Sequence, residues 1–161
     1  MSLNVQNVDN LDLKIITHLQ QDGRKSFRDI AEDVGVTERT VRLRVAQLRE
    51  CGILQIVGVV NPIKIGLQVV AIIQIDVEES LMDTCIELLR GIPEVRFITR
   101  TTGEYPLLIQ VVKSSYESLF VFLTEKMKQL PQLRKTNVMV ELQVYKNDFH
   151  YIGSDGKLLA E

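Results

Sequence analysis

Cysteine and histidine are both scarce. Cys51, Cys85, His18 and His150 are all that the chain holds. They are scattered, without the short spacings by which such side chains converge on a zinc ion, so no metal site is expected. The two cysteines read as reduced thiols. No Ser/His/Asp set or carboxylate pair stands at an informative spacing, and no glycine-rich phosphate loop is present. Catalytic residues are therefore not expected, nor is a cofactor. Long apolar runs are missing too: none approaches the roughly 20 residues that span a bilayer. Residues 1–10 are polar and lack the apolar centre of a signal peptide. A cytoplasmic protein without a membrane partner is the expectation. An excess of positive charge is also absent, since the formal net charge is −2. The first 60 residues hold eight basic and eight acidic groups, and the remainder holds eleven and thirteen. Any attraction for a polyanion has to come from a local cluster.

What is present is an ordinary globular composition, 45% apolar and 25% charged over 161 residues. That suits one large domain or two small ones. Leu11, Ile15, Ile16 and Leu19 recur at helical spacing and predict a helix over 9–21, with Asp9 or Asn7 as its cap. Ser26 is an N-cap for a short helix over 27–33, and Gly35 suits a sharp turn. Thr37 caps a third helix over 38–50, with Glu38 in the first turn where the dipole favours an anion. Val41, Val45 and Leu48 form its inward stripe, and Gly52 ends it. Helix, short helix, turn and helix is the helix-turn-helix arrangement, whose last helix enters the major groove of duplex DNA by its N-terminal residues.

The candidate DNA-binding residues are accordingly Thr37, Glu38, Arg39, Thr40, Arg42, Leu43 and Arg44. Arg24, in the loop before the second helix, is added as a phosphate contact. Arginine suits this work because its planar fork grips phosphate or the O6/N7 edge of guanine with two hydrogen bonds. Residues 53–60 are β-branched and apolar, and predict a strand pair or wing packed on the helices. The domain boundaries expected are 1–61 for a winged helix-turn-helix, 62–67 for a linker and 68–161 for a second domain.

That second domain reads as strand 69–77, a helix over 81–90 capped by Ser80, strand 95–102, the turn Gly103-Glu104-Tyr105-Pro106, strand 107–112, a long helix from Ser115 to about Leu130, and strand 135–145. On the second strand Val95, Phe97 and Thr99 are expected to share a face. The order β-α-β-β-α-β is the ferredoxin-like unit, an antiparallel sheet with both helices on one face, so the whole is an α+β protein. Apolar residues on both faces of the first and last strands predict self-association through the open face. A two-fold dimer would set two recognition helices on one palindromic site.

The run Leu11-Asp12…Ile15…Leu19-Gln20…Asp22-Gly23-Arg24…Ile30-Ala31…Val34-Gly35-Val36-Thr37…Val41…Arg44-Val45…Leu48…Gly52-Ile53-Leu54 resembles the DNA-binding domain of the Lrp/AsnC, or feast/famine, transcriptional regulators. Pro62…Gly66, Thr102-Gly103-Glu104-Tyr105 and Thr136…Val138…Glu141 resemble that family's amino-acid-sensing domain. The resemblance covers nearly the whole chain. It implies a DNA-binding transcription factor that forms dimers and often octamers, and whose effector is an amino acid or related metabolite. The effector site it implies is Thr101, Thr102, Gly103, Glu104, Tyr105, Pro106 and Thr136, where backbone N–H groups of the turn hold a carboxylate. Two positions depart from the family. Pro106 stands where members commonly carry an aspartate that holds the ammonium group, which leaves the effector's identity, and its existence, open. Leu43 stands where many carry a basic residue, a role that falls to Arg42. Enzymes that decarboxylate siroheme-type tetrapyrroles also resemble this family, but they use a histidine-rich stretch near the pocket, and Thr102 to Leu108 contains no histidine. A scaffold without DNA contacts is disfavoured by Arg39, Arg42 and Arg44.

Overall fold

The computed structural model describes residues 8–159. They form two compact units, one running to Val59 and including the stretch from Lys146, the other spanning Val60–Tyr145.

The helical unit begins with α1 (Asn10–Gln21), where Asp9 is the cap and forms a reciprocal capping box with Asp12. Each carboxylate accepts the other residue's backbone N–H, which satisfies two donors that the first turn leaves open. The alternative cap Asn7 lies outside the described residues. α2 (Phe27–Val34) starts at Ser26, whose hydroxyl accepts the Asp29 N–H at 3.1 Å. It stops at Gly35, whose φ of 76° is the left-handed conformation that glycine adopts most easily. α3 (Glu38–Glu50) follows its cap Thr37 directly. Ile15, Ile30 and Val41 of the three helices are fully buried together. Each such side chain contributes roughly 1.5–3 kcal/mol through lost water contact.

One expectation for this unit fails. Residues 53–60 form no strand, and Val57 and Val59 are 69% and 72% exposed. Their β-branched composition favours a strand, but a strand needs a neighbouring edge, and no wing forms among the described residues. The stretch from Lys146 groups with the helices.

The sheet unit opens with a 3-10 turn (Ile63–Ile65) ended by Gly66, φ 92°. β1 (Val69–Asp76), α4 (Met82–Arg90), β2 (Val95–Arg100), β3 (Leu107–Lys113), α5 (Tyr116–Val121) and β4 (Lys135–Val140) follow in the expected order. The sheet order is β2-β3-β1-β4, antiparallel throughout. Ala71, Ile73 and Ile75 of β1 and Leu107, Ile109 and Val111 of β3 are completely buried, in one cluster with Met82 and Leu89 of α4 and Leu119 and Phe122 from the α5 region. Both helices therefore cover one face.

Details differ from the sequence reading. Ser80 does not cap α4; its hydroxyl donates to Glu78 at 2.7 Å, and a 3-10 turn over Glu79–Leu81 leads into the helix. Arg96 is a bulge residue: Val95 pairs with Val111 but Phe97 pairs with Gln110. The extra residue reverses the alternation, so Val95 and Ile98 face the helices while Phe97 and Thr99 face outward. The long helix narrows to α5, a π-helical turn over Phe122–Lys126 and a 3-10 turn over Met127–Gln129. That change of pitch keeps Leu119, Phe122, Met127 and Leu130 all buried. β4 stops five residues early because β1, its only neighbour in the sheet, begins at Val69; the last bond, Glu141 N–H to Val70 O, is 2.8 Å.

Candidate nucleic-acid interface

α3 is a half-buried rod. Val41, Val45 and Leu48 are inside, whereas Arg39, Arg42, Leu43, Ala46, Gln47 and Arg49 are exposed. The Thr37 hydroxyl accepts the Thr40 N–H at 3.2 Å and shares a 2.9 Å hydrogen bond with the Thr40 hydroxyl, which orders the first turn. Arg42 donates to Glu38 at 2.6 Å and lies 5.4 Å above the Phe27 ring. Both partners of the ion pair are well exposed, so it is worth little and is readily exchanged for a phosphate or a base edge. The ring of Phe27, the first residue of α2, offers its face to the guanidinium. Among the described residues no carboxylate lies within 4.0 Å of Arg39 or Arg49.

Arg44 behaves differently. Its guanidinium reaches Asp9 at 2.8 Å and Asp12 at 3.2 Å, so it bridges α3 to the N-terminus of α1. Asp12 is 5% exposed, the one buried charged residue among the described residues. The hydrogen bond from Arg44 to Asp9, together with the field of both carboxylates, raises the arginine pKa. The Asp12 amide, with help from Arg44, pulls the Asp9 carboxyl below its ordinary value. Arg44 was expected among the DNA contacts; in the folded chain its charge is already matched. Arg24 lies on the exposed loop between α1 and α2, its own N–H held by Asp22 at 2.8 Å. Thr37 to Arg44 thus sit together on the first turns of α3, and Arg24 stands on a separate element. Sequence reasoning passed over the contact of Phe27 with Arg42, which joins the start of α2 to α3.

In the sheet unit, Thr101 to Pro106 form the β2–β3 connection. The Thr101 N–H donates to Pro106 O at 3.0 Å and its hydroxyl to Tyr105 O at 2.5 Å. Gly103 has φ 101°, a conformation that an L side chain strains to reach, although a Cβ there would meet open space. Thr136 is exposed on β4, and its neighbour Lys135 donates to Glu104 at 3.1 Å. The Glu104 carboxylate raises the Lys135 pKa through that bond. This ion pair brings the start of β4 to the turn. Lys135 was not singled out from the sequence, because nothing local marks a partner 31 residues away.

A capped arginine-bearing helix on a tri-helical core, joined in sequence to an antiparallel α/β sandwich, defines a helix-turn-helix protein with an added domain. The comparisons with known proteins agree. The AsnC-type helix-turn-helix domain matches residues 8–49, and the Lrp/AsnC ligand binding domain matches residues 70–150. The chain belongs to the Lrp/AsnC family. It is 35% identical over 141 residues to the HTH-type transcriptional regulator Ptr1 of Methanocaldococcus jannaschii, covering 87% of this chain and 95% of that one. The structure of E. coli AsnC superposes with a TM-score of 0.82 at 25% identity, over 89% of this chain and 98% of the other. A transcriptional regulator of Neisseria meningitidis, solved as an L-Met complex, gives a TM-score of 0.80 at 22% identity over 88% and 94%. The protein is a DNA-binding transcriptional regulator, and its family is one of regulators rather than enzymes. No helix among the described residues is long and apolar enough to cross a membrane.

Proposed function

We propose that the protein binds a palindromic operator as a two-fold dimer and adjusts that binding to an amino acid or a related small metabolite. The observation that carries the reading is the outer face of α3, where Arg39, Arg42 and Arg49 stand clear of the buried stripe in a chain whose net charge is −2. Local positive charge on a capped helix is what a polyanion selects. In this reading Arg39, Arg42 and Leu43 address base edges, with Leu43 packing against a thymine methyl. Thr37, Glu38 and Thr40 order the leading turn, and Arg24 touches the backbone. Arg44 acts through Asp9 and Asp12 as the strut that sets the angle of α3.

Dimerisation uses the open face of the sheet, which exposes Phe97 and Met139 beside Ile72 and Leu108; both a dimer and an octamer of such dimers are compatible with it. In this reading the effector site is the turn Thr101 to Pro106 with Thr136; that the sheet unit takes a ligand at all is supported by its match to a ligand binding domain and by its likeness to a regulator solved with L-methionine. Glu104 takes the part of the missing aspartate at position 106 by releasing Lys135 to hold an ammonium group.

The test is a mobility-shift titration at several salt concentrations on duplexes that the protein selects from a random pool. A log–log slope of about −0.9 per neutralised phosphate is expected. Failure to select any duplex, or binding indifferent to salt, overturns the reading.

A further inference from the structure

We infer that residues 148–159 are a clasp that completes the DNA-binding unit, and that operator affinity depends on its being closed; the second half of this rests on the DNA-binding reading of α3.

The segment is built rather than draped. The Leu159 N–H donates to Tyr151 O at 3.0 Å and the Gly153 N–H to Lys157 O at 2.8 Å, which makes a small hairpin. Its turn places Gly156 at φ 76°, and a Cβ on Gly153 would meet the Asp155 carboxylate at 2.8 Å. Ile152 is 7% exposed and lies within the apolar core of the three helices. The grip on α1 is made by Gln20. Its side-chain oxygen accepts the Tyr151 N–H at 3.0 Å, its side-chain nitrogen donates to Ile152 O at 3.4 Å, and its own carbonyl meets His150 Nε2 at 2.9 Å. The carboxamide pairs with the backbone as a neighbouring strand's peptide would. These contacts join residues up to 132 positions apart, a separation that only a specific seating closes.

The seating has a consequence for the recognition helix. Chain order joins the DNA-binding unit to the sheet unit twice, at Val59–Val60 and again at Tyr145–Lys146. The second junction leads straight into the clasp. Gln20 holds the clasp at the C-terminal end of α1, and Asp9 and Asp12 at the other end hold Arg44 of α3. A pull on the second junction is therefore felt by α3 through one rigid helix and two charged contacts, a contiguous physical path. A cavity of about 260 Å³ remains in the seam, lined by Thr17, Gln21, His150 and Leu159 among others. The clasp thus holds by one apolar anchor and a few hydrogen bonds, which suits an element that opens.

The experiment compares amide hydrogen exchange and duplex affinity in the full chain, in Ile152→Asp and in the milder Gln20→Ala, which leaves the apolar core intact. In the wild type the amides of Gly153 and Leu159 are expected to be protected, independently of protein concentration. Either variant should erase that protection while α3 stays protected. Affinity for the selected duplex should fall about tenfold, within the range of ordinary coupling between sites, with the salt slope unchanged because no phosphate contact is lost. Exchange as fast as in an unstructured peptide overturns the clasp. Protection that fades on dilution overturns its seating by the same chain, since a second copy would then supply it. Released amides with undiminished affinity overturn the coupling. A wild-type protein that selects no duplex overturns the DNA-binding reading instead, and the exchange result still judges the clasp.

Discussion

The helical unit and the sheet unit treat their apolar surface in opposite ways. In the first, Ile15, Ile30 and Val41 turn inward from three helices, and the outer face of α3 presents guanidinium groups. In the second, one sheet face is sealed by α4 and α5, while the other leaves Phe97 49% and Met139 41% exposed. A face that displays charge suits a polyanion, and one that displays carbon suits another protein surface. Arg42 and Arg44 repeat the lesson within two residues. One is loosely paired and available; the other is consumed by a buried carboxylate.

The contrast is broken most severely in a core. Ile73→Ala empties a fully buried site of the sheet and should cost about 2–5 kcal/mol of stability. Urea unfolding should show a lower midpoint with an unchanged slope, and a loss below about 1 kcal/mol would mean that the sheet is not packed as described.

Next in size is Arg42→Ala, expected to weaken specific binding by about 1–3 kcal/mol and to relax base preference at one position. Arg44→Lys is its counterpart: affinity should fall with no change in salt slope, since Arg44 is paired with Asp9 and Asp12 and is proposed to act through them. A slope reduced by about 0.9 would instead make Arg44 a phosphate contact. Phe97→Glu addresses the open sheet face and should shift sedimentation toward monomer without lowering the melting temperature of the fold. Persistence of the larger species would place the interface elsewhere. Gly103→Asp should leave DNA selection intact while abolishing any thermal-shift response to amino acids, and a retained response would move the pocket off this turn.

The smallest effect is a pH dependence. His150 has a pKa raised above 6.5, first by its contact with the Gln20 carbonyl and then by the Asp148 carboxylate. Asp148 is lowered in return, chiefly by the His150 amide, with Lys146 adding to it. A raised pKa means that the protonated ring is favoured in the folded form. Its stabilisation is complete below pH 6.5 and is lost as pH rises through the elevated value. Protection of the clasp amides, corrected for intrinsic exchange, should decline above that point, and His150→Gln should flatten the profile.

Much of the fold was legible. The three helices of the first unit fall within a residue of their sequence-read limits, because Asp9, Ser26, Thr37 and Gly35 act on backbone groups three or four positions away. The order of strands and helices was legible as well, since the apolar period changes where the elements change. The failures share a physical cause. Residues 53–60 have strand composition but no neighbouring edge among the described residues. Residues beyond β4 have one only as far as Val70 reaches. Arg96 becomes a bulge through pairing with β3. Each outcome depends on what the rest of the fold brings alongside, and side-chain type does not encode that.

The candidate site divides in the same way. Sequence alone determined that α3 would be capped by Thr37, buried along Val41, Val45 and Leu48, and studded with arginine on its remaining faces, because a 3.6-residue period assigns faces without knowledge of neighbours. It also determined that charge would have to be local in a chain of net charge −2. Only the tertiary structure decided which arginines are free. Arg44 is spoken for by carboxylates 35 and 32 residues earlier. Gln20 is spoken for by a hairpin up to 132 residues later. Such contacts form once folding has closed the long loops between them, and the entropy of that closure is met by the core as a whole rather than by the residues that touch.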